Sequence, residues 1–226
     1  HPMIGVHLSH AGVKTEKINY GATIEYILPG GPAEKKGFKY LIDAMPEALN
    51  EFPKAKLVFI GYGPKETELK NQVKNLGLEE KILFVGGQSR SDLSRYYATA
   101  DIFIGPSIVA EGGDTEGQPA AIIEAMASKT AIIASDVGGI KDMVKNGKTG
   151  LLINQKDPKA ITKAIITLCK DSTLKQQLEQ NGKKHIIEIF RWQAVAEQYM
   201  VIYKNIDKFL GQSPPSVSSP KVSALT

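Results

Sequence analysis

Two glutamates with seven residues between them, Glu116 and Glu124, lie in the stretch GPSIVAEGGDTEGQPAAIIEAMA (105–127). Glu124 falls among Ala121, Ile122, Ile123, Ala125 and Met126, and an ionised carboxylate on a largely apolar helix is costly unless donors satisfy it. That pattern suits a reader of hydroxyls, the device by which nucleotide-binding α/β folds grip ribose, and equally a structural pair with a lysine or arginine elsewhere. Glu116 precedes Gly117, Gln118 and Pro119. There the fixed backbone angle of proline suits a first helical turn, and the amides of Gly117, Gln118 and Ala120 would face a cleft. A second candidate is LPGGPAEKKG (28–37). Gly30 and Gly31 let amides approach an anion, the helix that follows offers its positive end, and Lys35 or Lys36 adds a point charge. A phosphate or diphosphate is the natural guest, although the spacing is not that of a P-loop. A third loop, SDVGGIKDMVKNGKTGLLI (135–153), reads as ordinary: Gly138 and Gly139 end a strand, Ile140 opens a short helix, and turns follow.

Paired carboxylates also serve glycosidases, but a hydrolase keeps both beside one sugar, whereas Glu124 lies two turns into a helix. Glu111, Asp114 and Glu116 lack the regular spacing of a divalent-metal loop.

The elements that must carry these loops are legible in the alternation of the chain. Short apolar runs at 25–28, 56–61, 81–86, 101–105, 130–135 and 150–154 alternate with helical patterns near 37–50, 64–76, 91–99, 118–128 and 157–170. Alternation of this kind predicts βαβ units and a doubly wound parallel sheet, whose strands are buried on both faces and read as continuous apolar runs. Such sheets bind ligands at the carboxyl ends of their strands, where all three loops fall. Beyond Pro158 the pattern is wholly helical, ending in an amphipathic helix with Trp192, Val195, Tyr199, Ile202 and Tyr203 at three-to-four-residue spacing. Residues 1–210 are expected to form one domain, and the Ser/Pro-rich tail 211–226 is expected to be disordered.

With 226 residues, 42% of them hydrophobic, the chain can bury a real core without staples. Its formal charge of +4 comes from 28 basic and 24 acidic residues that alternate along the chain, a solvated surface with no stripe for nucleic acid. No apolar window reaches the roughly 18–20 residues that a membrane span needs. The single cysteine, Cys169, sits in the helical stretch AIITLCK and reads as a small core side chain in a reducing compartment.

At EGQPAAIIEAMASKTAIIASDVGGIKDMVKNGKTGLLI (116–153) the sequence resembles the signature of the family 4 retaining glycosyltransferases, of GT-B fold. EKKG (34–37), GYGP (61–64), FVGG (84–87) and DIFIGPS (101–107) resemble further family elements in the correct order. GGDTEGQP is similar to the form seen in bacterial exopolysaccharide and lipopolysaccharide glycosyltransferases. The resemblance implies one Rossmann-like half of a GT-B enzyme that moves a hexose from a UDP- or GDP-linked sugar to a glycan or lipid-linked acceptor. By position, it implies that Glu124 binds the donor ribose and Glu116 the transferred sugar. The amides at 117, 118 and 120 would meet sugar and phosphate, Lys36 would neutralise the departing diphosphate with Lys35 beside it, and Gly86 and Gly87 would lie near the base. No metal or other cofactor is implied. A cytoplasmic setting, peripheral at the inner membrane face, follows from the same resemblance.

The chain departs from the family pattern in two places. Gly31 stands where the first loop usually carries an arginine, which removes a bidentate contact to the diphosphate. The resemblance also begins at VHLSHAGVKTEKI (6–18), similar to the usual hinge, so an N-terminal Rossmann-like acceptor domain is expected to be missing from this chain, and the isolated half is expected to transfer little. The alternative is a nucleotide-binding or interaction module that kept the fold and lost catalysis. A dinucleotide-dependent oxidoreductase is excluded by the lack of a Gly-x-Gly-x-x-Gly turn after the first strand.

Overall fold

The computed structural model describes residues 23–27, 37–115 and 117–205. Six strands run β1 (Thr23–Ile27), β2 (Lys56–Ile60), β3 (Ile82–Phe84), β4 (Ile102–Gly105), β5 (Ala131–Ser135) and β6 (Leu151–Ile153). They form one sheet in the order β3-β2-β1-β4-β5-β6, with every pairing parallel. Both neighbours of a central strand must be reached by crossovers, so the strands are covered on both faces. β4 and β5 are accordingly buried at every residue.

The helices between them are α1 (Phe38–Glu51), α2 (Glu66–Asn75), α3 (Arg90–Thr99), α4 (Ala120–Ala127) and the single turn α5 (Ile140–Met143). α1 drives Phe38, Leu41, Ile42, Met45 and Leu49 into the core at helical spacing. Three helices close the chain: α6 (Pro158–Lys170), α7 (Ser172–Phe190) and α8 (Trp192–Lys204). α6 starts where Asp157 accepts from the Ala160 amide, with Pro158 in the first turn, and α7 starts where Asp171 accepts from the Leu174 amide. α6 packs on α1, where the buried Thr162 hydroxyl donates to the Ala44 carbonyl at 3.0 Å, and α7 packs on α4 and β5.

The predicted doubly wound sheet is present, and the boundaries differ in small ways with clear causes. Pro119 is extended (ψ 117°) and caps α4, so the helix begins at Ala120, two residues later than the pattern predicts. β3 ends at Phe84 because Gly86 turns the chain with φ +69°. Among the described residues no helix is long and apolar enough to cross a membrane. The proposed tail 211–226 lies outside the described residues.

Candidate functional site

The sheet order reverses between β1 and β4, and in open α/β sheets the crevice at that reversal, beyond the strands' carboxyl ends, is where ligands bind. Among the described residues a backbone hydrogen bond joins its two walls. The Gly37 amide donates to the Pro106 carbonyl at 2.7 Å, which joins the start of α1 to the loop after β4. A Cβ at Gly37 would lie 2.5 Å from that same oxygen and 2.9 Å from the Ile108 side chain, so only glycine permits the approach. The loop after β4 is then held by two further ties. The Val109 amide donates to Gln155 Oε1 at 2.8 Å, reaching the segment beyond β6, and the Ala110 amide donates to the Asp114 carbonyl at 2.8 Å.

Gly139, at the start of α5, packs against the Gly117 carbonyl so closely that any Cβ there would collide with it. This corrects the reading of the third loop as ordinary. Its glycine is a packing requirement, and it presses the 135–139 segment against the turn that leads into α4. In that turn Gly117 and Gln118 are exposed, as is Ala120 at the first position of α4. Among the described residues the Thr115 hydroxyl beside them is buried without a hydrogen-bond partner, the sort of unsatisfied group that recurs at functional sites.

Glu124 departs from its expected setting. Ala121, Ile122, Ala125 and Met126 of α4 are buried, but the Glu124 side chain is exposed on the opposite face. Its carboxylate is therefore not a buried charge, and among the described residues its partner is neither lysine nor arginine: the Tyr97 hydroxyl of α3 donates to Oε2 at 3.0 Å. Tyr97 is itself buried, its ring tilted against Phe103 of β4 with centroids 6.1 Å apart. A buried tyrosine thus orients one carboxylate oxygen and leaves Oε1 without a donor among the described residues. Nothing in the spacing of the sequence marks Tyr97; its role follows from α3 and α4 packing side by side.

Gly86 and Gly87 lie at the carboxyl end of β3, tied to the loop after β2 by a 2.7 Å bond from the Gly61 amide to the Gly86 carbonyl. Gly30, Gly31, Lys35, Lys36 and Glu116 lie outside the described residues.

Away from the crevice, Cys169 is half-buried against the core, as expected of a packing residue, and burial with the nearby Asp101 charge pushes its thiol up to about 11. A thiol so far from ionisation is no nucleophile. Lys175 of α7 bonds Asp101 at 2.9 Å and lies 4.0 Å from Glu179, whose carboxyl burial holds above its ordinary value. α8 contrasts with α6 and α7: Trp192 is 82% exposed, and Tyr199, Ile202 and Tyr203 are exposed with it.

Residues 25–185 match the family described as glycosyl transferases group 1. The chain belongs to that family. An uncharacterised glycosyltransferase of Methanocaldococcus jannaschii is 29% identical over 87% of this chain and 50% of its own length. The amylovoran biosynthesis glycosyltransferase of Erwinia amylovora is 28% identical over 74% of this chain and 42% of its own. Among solved structures, the C-terminal domain of a group 1 glycosyl transferase from Francisella tularensis superposes with a TM-score of 0.64 at 27% identity, covering 76% of this chain and 87% of that one. The group 1 chain therefore has the fold of a C-terminal GT-B domain, and it spans about half the length of the curated relatives it matches. Each of these relatives is named as a glycosyltransferase, and none as a non-catalytic module.

Proposed function

We propose that this chain is the donor-binding half of a retaining glycosyltransferase, holding a nucleotide-sugar in the β1/β4 crevice. The observation that carries the reading is Glu124: an exposed carboxylate on α4, the helix that follows β4, oriented by a buried tyrosine and with one oxygen left open among the described residues. A carboxylate so presented suits the vicinal hydroxyls of a ribose, each of which donates a hydrogen bond. Family membership supports the same reading.

In this reading the anomeric carbon's bond to the diphosphate breaks, and the diphosphate leaves with the electron pair. The acceptor hydroxyl oxygen bonds to the same face of that carbon and gives up its proton to the departing diphosphate oxygen. Negative charge grows on the leaving group, where the amide-bearing start of α4 and the positive charge proposed for Lys35 and Lys36 stabilise it. Glu116 is proposed to hydrogen-bond the sugar. Gly31 supplies no guanidinium to the diphosphate, so the affinity of this half rests more heavily on Glu124 and on the backbone amides.

The acceptor is proposed to be a glycan or lipid-linked sugar delivered by an N-terminal Rossmann-like domain, at a membrane face. The bare apolar face of α8 supports a partner surface of that kind. Calorimetric titration with UDP and GDP tests the reading. One nucleotide should bind saturably, and Glu124→Ala should weaken it by about 1–3 kcal/mol, the scale of a lost charged hydrogen bond. If neither nucleotide binds at millimolar concentration, the reading fails.

A further inference from the structure

A glutamate exposed on a helix ordinarily samples several rotamers, and a ligand that needs one of them binds more weakly because that motion must stop. Glu124 is placed differently. Tyr97 reaches it from α3 with its hydroxyl 3.0 Å from Oε2, and the tyrosine is only 3% exposed, its ring tilted against Phe103. The backbone of Tyr97 is fastened as well. The buried Thr130 hydroxyl donates to the Tyr97 carbonyl at 2.6 Å, and the Thr130 amide donates to the Ala125 carbonyl, one residue beyond Glu124, at 3.1 Å. Lys129, between α4 and Thr130, takes φ +66° in the left-handed turn that carries the chain from α4 into β5. Tyr97, Thr130 and α4 thus share a closed circuit of three hydrogen bonds: the Tyr97 side chain to α4, Thr130 to the Tyr97 carbonyl, and Thr130 back to α4.

We infer that Tyr97 is a positioning residue for the donor ribose: its hydroxyl holds the Glu124 carboxylate in one orientation before the nucleotide arrives, and nucleotide affinity depends on that preorganisation. The inference rests on the nucleotide-sugar reading above and adds to it a residue that acts through Glu124. A carboxylate has about four acceptor positions. Tyr97 takes one on Oε2, and Oε1 meets no donor among the described residues. The two adjacent hydroxyls of a ribose are donors, so the tether leaves acceptor capacity for both while fixing where it points. A phenylalanine ring would fill the same space against Phe103, and the Thr130 bond to the backbone would be kept. Removing the hydroxyl therefore tests the tether with little change to the packing.

The test is calorimetric titration of the full chain, Tyr97→Phe, Glu124→Ala and the double variant with UDP and GDP, and with the 2′,3′-dideoxy form of whichever binds. Tyr97→Phe should weaken the nucleotide about two- to tenfold, the scale of ordering one long side chain on binding. In the Glu124→Ala background the same substitution should change nothing. The dideoxynucleotide keeps base and diphosphate but offers Glu124 no hydroxyl, and it should bind all four proteins alike. A tyrosine that only shaped the fold would lower affinity in both backgrounds and for both ligands. Equal affinity in Tyr97→Phe and the unaltered chain, or a loss that persists without Glu124 or with the dideoxynucleotide, overturns the inference while leaving the donor-binding reading intact. Absence of nucleotide binding by the unaltered chain overturns both.

Discussion

The sheet core and the carboxyl rim of the same sheet are held together by opposite means. In the core, side chains fill space: Phe59 stacks on Phe84 with centroids 5.0 Å apart and meets Phe38 edge-on, while β4 and β5 are sealed on both faces. At the rim, side chains are missing where backbone must meet something closely, Gly37 on Pro106, Gly139 on Gly117, and Gly86 and Gly87 under Tyr62. Core stability therefore depends on volume, and rim geometry depends on the absence of it. Glu124, the side chain on which the donor reading rests, is exposed and costs the fold little, and its Oε1 has no donor among the described residues.

That contrast can be broken from either side. The largest effect belongs to Phe59→Ala in β2, whose side chain is fully buried; unfolding by denaturant should show a loss of about 3–5 kcal/mol, with nucleotide affinity kept in whatever fraction remains folded. Gly139→Ala comes next. The backbone angles at this position suit alanine, so the whole cost is the collision with the Gly117 carbonyl, about 1–3 kcal/mol of stability. Here nucleotide affinity should fall as well, because relief of the collision must move the turn that leads into α4. If Gly139→Ala binds nucleotide normally, the rim does not depend on that contact. Glu124→Ala should do the reverse of Phe59→Ala, lowering affinity while leaving the melting temperature where it was.

The smallest effect lies far from both regions, at Glu179. Burial raises its folded-state pKa, with Lys175 and Lys129 opposing. A carboxyl with a raised folded pKa contributes stability that is present below its unfolded value and lost as pH rises through the folded one. Glu179→Gln should therefore be slightly the more stable protein at neutral pH, by less than about 1 kcal/mol given solvent screening. The difference should vanish below pH 4.5, the group's ordinary value. Parallel melting curves at pH 7 and pH 4 read this directly, and a gap that widens in acid would reverse the sign of the argument.

The order and type of nearly every element were legible in the sequence, because a strand buried on both faces must be continuously apolar and its crossover helix must be amphipathic. KLVFIG and TAIIAS could be little else. The seven-residue interval between Glu116 and Glu124 was equally visible, since both lie on one local segment. What that segment faces was not. Apolar neighbours in sequence made Glu124 look buried, yet at the helical period its side chain points to the opposite face, and only the packing of α3 beside α4 brings Tyr97 to it across 27 positions. The glycines tell the same story. Sequence shows that Gly139 has no side chain; the fold decides that Gly117 occupies the place where one would be. Local periodicity is set by backbone geometry and is written along the chain, whereas close approaches between loops depend on how crossovers bring distant residues together, and that is settled when the sheet assembles.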